Sequence, residues 1–286
     1  MIEVIDILKD AIFDVIKLIP FLFITYLIME YIENKTSSKL KQKVEKAGKF
    51  GPLFGGILGI VPQCGFSASS TGLYASGIIT LGTLMAVYLS TSDEMLPILI
   101  SEAIPLTTII KILLIKLILG IFFGFLIDFL FKKVNKKEIE ESDICEYDNC
   151  NCHENGIFKA SLIHTFNIII YIFLLTIIIN TLIALIGEET IENFIQNNLF
   201  LGPIISSLIG LIPNCAASVI ITNLYTQNVI NAASLIAGLL TGAGVGLIVL
   251  FRVNRNHLKE NILITIMLYG IGVISGLLLQ IIGFTI

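Results

Sequence analysis

The sequence predicts an all-α polytopic membrane protein, built as an inverted repeat of two five-element halves with discontinuous or re-entrant helices. Three observations lead there. First, 55% of the 286 residues are apolar and only 14% are charged, whereas a water-soluble surface needs roughly 25% charged residues; the mean hydropathy is +0.91. Second, apolar runs of about 20 residues recur along the whole length, the span of a helix crossing a bilayer. Third, the chain repeats itself at an offset of 151 residues. A net charge of −4 also excludes the basic face of a nucleic-acid reader. The opening MIEVIDILKD is acidic and lacks the basic stretch and small-residue cleavage site of a signal peptide.

The elements follow in order. The first span, 11–32, carries Asp14 and Lys17 one turn apart, a pair that can neutralise itself in lipid. After a lysine-rich loop at 33–49 comes a Gly/Pro-rich apolar stretch, 50–100. Its simplest arrangement makes 50–76 a re-entrant pair of half-helices, broken at Pro62-Gln63-Cys64-Gly65, and lets 78–100 cross. Backbone that leaves the helix inside lipid survives only when buried in protein or lining a cavity. The next span, 107–131, is uniform. Lys111 and Asp128 lie where snorkelling can serve them, while Lys116 is nearer the middle and needs a partner. A polar loop leads to the span 159–186, to a second interrupted stretch at 202–251, and to a last span at 261–284. The units are therefore a first membrane repeat, 1–131, a cytoplasmic Cys/acid-rich loop, 132–158, and a second membrane repeat, 159–286.

The two interrupted stretches are copies. Residues 51–99 align with 202–250 without a gap, and fifteen of the 49 positions are identical. Only six of those are Ile or Leu, so shared greasiness does not explain the match. The others include Gly51/Gly202, Pro52/Pro203, Gly59/Gly210, Pro62/Pro213, Cys64/Cys215, Ser67/Ser218, Thr71/Thr222 and Tyr74/Tyr225. The helices that follow match through Gly120-xxx-Gly124 and Gly272-xxx-Gly276, a spacing that lets helices approach closely in lipid.

Charge sets the expected topology. Fourteen of the 18 Lys and Arg fall at 33–49, 132–159 and 252–260. The linkers 101–106 and 187–200 have none and carry Glu102, Glu188, Glu189 and Glu192 instead. By the positive-inside rule the first three loops are cytoplasmic and the other two external. Corresponding loops 33–49 and 187–200 then lie on opposite sides, which makes the repeat inverted.

Inverted repeats with broken helices commonly bind their substrate near the midplane, where the breaks meet. Here the breaks read Pro62-Gln63-Cys64-Gly65-Phe66-Ser67 and Pro213-Asn214-Cys215-Ala216-Ala217-Ser218. The candidate binding residues are Gln63, Cys64, Ser67, Asn214, Cys215 and Ser218. Each break offers an amide, a thiol, a hydroxyl and loosened carbonyls. Soft thiolates select soft ions, whereas amide and carbonyl oxygens suit harder ones such as Mn²⁺. A buried cysteine is equally at home as a small packing residue. A second break, Ser90-Thr91-Ser92-Asp93-Glu94, lies opposite Thr241-Gly242-Ala243-Gly244-Val245-Gly246. Adjacent carboxylates in an apolar span are costly, so Asp93 and Glu94 are candidates for cation or proton coupling; they could instead end a helix near the external face. His164, one turn from Asn167, is a third coupling candidate or simply a satisfied polar residue. The central loop holds Cys145, Cys150, Cys152 and His153. These could bind a soft metal in a regulatory role, although the spacing is no standard zinc pattern and a solvated linker with reduced thiols reads equally well.

These motifs together resemble one family, the ten-transmembrane heavy-metal exporters, also described as arsenic-efflux-permease-like proteins or manganese transporters. The resemblance spans essentially the whole chain. It rests on Val61-Pro62-Gln63-Cys64-Gly65-Phe66-Ser67, on Ser90–Glu94, on Ile212-Pro213-Asn214-Cys215-Ala216-Ala217-Ser218, and on Thr241–Gly246 with Leu250-Phe251-Arg252-Val253-Asn254. It implies secondary transport in the cell membrane, namely export of a metal or metalloid ion, with lipid and a small inorganic ion as partners and no resident cofactor. No Gly-x-x-x-x-Gly-Lys-Ser/Thr motif occurs, which excludes ATP hydrolysis by that route and leaves an ion gradient or the membrane potential as the energy source. The alternative class is an intramembrane enzyme, such as a lipid-pyrophosphate phosphatase. Phosphoryl transfer needs positive charge around the phosphate. The chain's two arginines, Arg252 and Arg255, sit in one loop with no counterpart in the first half.

Overall fold

The computed structural model describes residues 48–61, 64–92, 95–131, 201–227 and 229–284, with isolated helical positions between 9 and 27 and between 158 and 181. Local chemistry sets the helix boundaries. Helix α1, Gly51–Gly59, starts with Pro52 in its first turn, where the missing N–H has no intrahelical partner anyway. It ends just before Pro62. Helix α2, Cys64–Ala75, closes on Gly77 at φ 72°. There Gly77 N–H donates to Tyr74 O and Ile78 N–H to Leu73 O, both at 2.9 Å, a pairing that needs a left-handed residue. Helix α3, Leu81–Ser90, is capped by Thr80, whose side chain accepts from Thr83 N–H. Helix α4 covers Met95–Ser101, and helix α5, Leu106–Leu130, starts directly after Pro105.

The second half repeats the series. Helices α6 (Gly202–Gly210, again with Pro in the first turn), α7 (Cys215–Thr226) and α8 (Ala232–Thr241, capped by Asn231) are α1, α2 and α3 displaced by 151 residues. Helices α9, Val245–Val253, and α10, Leu258–Ile281, complete it.

Three stretches among the described residues are long and apolar enough to cross a membrane: Leu106–Leu130, Ala232–Val253 and Arg255–Ile281. The remaining short helices of the first half have 7 to 12 residues, at most about 18 Å of rise against a hydrocarbon core of about 30 Å. The stretch 78–100, expected to cross as one element, is therefore interrupted. The hydroxyls of Ser90 and Thr91 bond back to Ala86 O and Val87 O, each at 2.7 Å. The chain then leaves the helix at Thr91 with ψ 127°. The equivalent interruption between α8 and α9 passes through Gly244 at φ 53°, ψ −139°, a region essentially restricted to glycine.

The core lies in α3 and α8, every residue of which is buried; a helix buried all round has no lipid-facing side. Helices α1 and α5 flank α3, and α6 and α10 flank α8 in the same way. The close approaches use the paired glycines. A Cβ on Gly124 would lie 2.7 Å from Gly82 O and 2.9 Å from Pro52 Cβ; one on Gly276 would lie 2.5 Å from Ala237 Cβ and 2.8 Å from Pro203 Cβ. Between the halves the packing is reciprocal. Helix α2 runs against α9, α7 packs on α4, and α3 meets α8. Both apolar clusters of the core consequently draw residues from both halves, Tyr88 and Leu247 in one and Met95 and Ile221 in the other.

Candidate functional site

The helix ends created by these interruptions bring polar groups together deep in the molecule. In the first half the two breaks are tied to each other, because Ser92 Oγ donates to Ile60 O at 2.5 Å. Ile60 is the residue on which α1 ends. Ser90, Thr91 and Ser92 are all at most 2% exposed. Lys116, fully buried in α5, reaches the same point: its ammonium donates to Thr91 O and, across the halves, to Leu239 O of α8 at 2.8 Å. The partner that a mid-span lysine requires thus includes helix-end carbonyls from both halves.

A second polar cluster forms where α2 crosses the start of α9. Thr71 Oγ1 donates to Ser67 O at 2.7 Å and lies 2.5 Å from the hydroxyl of Tyr88. Both hydroxyls stand 3.2 Å from Gly246 O. Ser67, Thr71 and Tyr88 are completely buried. The crossing is close enough that a Cβ on Gly246 would lie 3.0 Å from Ser67 Cβ and 2.8 Å from Tyr88 Cε1. In the second half Thr222 Oγ1 donates to Ser218 O at 2.6 Å, the same bond one repeat on. The positions equivalent to Tyr88 and Gly246 are Leu239 and Met95, so at that crossing the large and small residues are exchanged for two of intermediate size.

The residues expected at the site fall as follows. Ser67 and Ser218 are buried, one turn into α2 and α7. Asn214, 4% exposed, stands in extended backbone immediately before α7. Cys64 and Cys215 are the first residues of α2 and α7. Gln63, Asp93, Glu94, His164 and the loop set Cys145, Cys150, Cys152 and His153 lie outside the described residues. Across the halves, the neighbour described for Ser67 is Gly246 of the second half's second break. Among the described residues no three His, Cys, Asp or Glu side chains gather as a metal site would require.

Other polar side chains hold helix ends. Asp128 does not snorkel: its carboxylate is half-buried and accepts from Gly82 N–H at 2.8 Å and from the Thr80 hydroxyl at 2.7 Å. It thereby caps the N-terminus of α3, where negative charge is favoured. Asn254 and Asn261 pair side chain to side chain at 2.6 Å and close the corner between α9 and α10. The Tyr74 hydroxyl donates to Glu260 and joins α2 to α10. Sequence reasoning missed Tyr88 altogether. A lone tyrosine in an apolar helix gives no signal until its hydroxyl finds a partner 158 residues away.

Long apolar helices, and short helices that stop inside the protein with buried hydroxyls and an ammonium at their ends, define a multi-pass membrane protein. Over residues 2–190 the chain matches the family described as "Putative, 10TM heavy-metal exporter". The chain belongs to that family, whose description is of a transport protein and not of an enzyme. The match covers the first half, the central loop and the start of the second half; the resemblance noted in 202–254 lies beyond it. No curated protein and no solved structure matches the chain.

Proposed function

We propose that the chain is a secondary transporter that exports a metal or metalloid ion from the cell, across the plasma membrane, between two inverted repeats. The observation that carries this reading is the reciprocal seating of α2 on α9 and of α7 on α4. Ser67, one turn past the first break of the first half, thereby lies against Gly246 at the second break of the second half, and the equivalent helices α7 and α4 also pack together. Irregular backbone at such depth is tolerated where it is buried in protein or lines a cavity, and in inverted-repeat transporters such breaks commonly form the binding site. In this reading 1–131 and 159–286 are the repeats and rock about α3 and α8. Gln63, Cys64, Ser67, Asn214, Cys215 and Ser218 supply the ion's ligands. Asp93, Glu94 and His164 carry the coupling charge, and Cys145, Cys150, Cys152 and His153 lie off the path.

Transport into sealed vesicles, measured with Mn²⁺, Zn²⁺, Cd²⁺ and arsenite, tests the assignment and sorts the substrate. For a soft ion, Cys64→Ser or Cys215→Ser loses a thiolate ligand and transport falls steeply. For a hard ion, serine remains an oxygen donor, and the loss follows Gln63→Ala and Asn214→Ala instead. A chain lacking 140–155 keeps substantial transport in either case. Near-normal rates in all four substitutions would remove the site.

A further inference from the structure

Lys116 occupies a position that its own helix does not explain. The last four carbonyls of an α-helix have no intrahelical partner, and together they carry a partial negative charge. Thr91 is the residue on which α3 ends, and Leu239 lies in the last turn of α8. A single ammonium, with three donors on one nitrogen, therefore serves the C-terminal ends of two helices, one from each half. The repeat supplies this cation once. The glycine pairs that match α5 to α10 set Lys116 opposite Leu268, which is fully buried in apolar surroundings. Burying an ammonium where its counterpart is leucine is costly, and such a group within a membrane helix points to a role in function.

We propose that Lys116 is a positioning residue of the transport cycle. It ties the α3 end, where Ser92 also holds the end of α1, to the α8 end of the other half. The two breaks therefore keep one register in the described state, and this tie must be released and remade whenever one half moves against the other. The effect on turnover rests on the transport reading above; the tie itself does not. Lys116→Met removes the charge and the donors while keeping an unbranched side chain.

Two measurements on the full-length protein test the proposal. In vesicles, with whichever of the four ions above the unaltered protein moves fastest, Lys116→Met should lower the maximal rate about tenfold with KM changed less than about threefold. Lys116→Arg, which keeps charge and donors, should restore at least roughly a third of the rate. In detergent, deuterium uptake of Lys116→Met should rise together in 86–92 and 236–243, since both helix ends lose the same partner. Uptake that rises in 86–92 alone, or in neither segment, would overturn the tie; an unchanged maximal rate would overturn the role in turnover. If the unaltered protein moves none of the ions, the transport reading fails, while a joint rise in uptake still upholds the tie. Should Lys116→Met not fold, Lys116→Gln is read by the same two measurements.

Discussion

Replacing Gly246 by alanine probes the crossing of α2 and α9 with a single methyl group. That methyl would sit 2.8 Å from Tyr88 Cε1, 3.0 Å from Ser67 Cβ and 3.2 Å from the Ser67 carbonyl carbon. The last contact is to backbone and does not rotate away. The tyrosine ring is fully buried, with its hydroxyl held between Thr71 and Gly246 O, so it does not swing aside either. Overpacking of this kind costs about 1–3 kcal/mol, and up to about 1 kcal/mol returns because alanine favours the helix over glycine. Taking the middle of each range, about 2 less about 0.5 kcal/mol, the net loss is about 1.5 kcal/mol, a fall in Tm of roughly 3–6 °C, measurable by thermal unfolding of the purified protein in detergent. Tyr88→Leu, which installs the residue at the equivalent position 239, removes the closest contact. The double variant should therefore be more stable than the sum of the two losses predicts, by about 1 kcal/mol. A Gly246→Ala protein that melts with the unaltered one, or strictly additive losses, would refute the crossing geometry.

Removing the Asp128 cap by Asp128→Ala strands Gly82 N–H and should cost about 2–3 kcal/mol. Asp128→Asn, which still offers an acceptor, should cost less, and the same melting assay compares them. If the repeat is inverted, labelling of introduced cysteines from either side of the membrane will report 33–49, 132–159 and 252–260 as cytoplasmic and 187–200 as external. The same side for 33–49 and 187–200 would end that part of the proposal.

What the sequence by itself determined is the set of interruptions and their duplication. Pro52 and Pro62 act on their own few residues of backbone, through a missing N–H, and their counterparts Pro203 and Pro213 recur at a constant offset. Such signals need no knowledge of what lies across the molecule. Composition likewise decided the solvent, because no fold makes a chain with 14% charged residues comfortable in water. The second interruption was legible as a polar run, Ser90 to Glu94. That it splits 78–100 into two short helices depended on hydroxyls turning back onto Ala86 and Val87. Which break meets which was decided only by the tertiary structure. Ser67 finds Gly246, Lys116 finds Leu239 and Tyr74 finds Glu260, partners 179, 123 and 186 residues apart. Helical periodicity describes which face of one helix is apolar and says nothing of the helix that will lie against it. The exchange of Tyr88 and Gly246 for Leu239 and Met95 shows the reason. At a close-packed crossing the requirement falls on how two distant side chains fit against each other, a property that neither position carries alone.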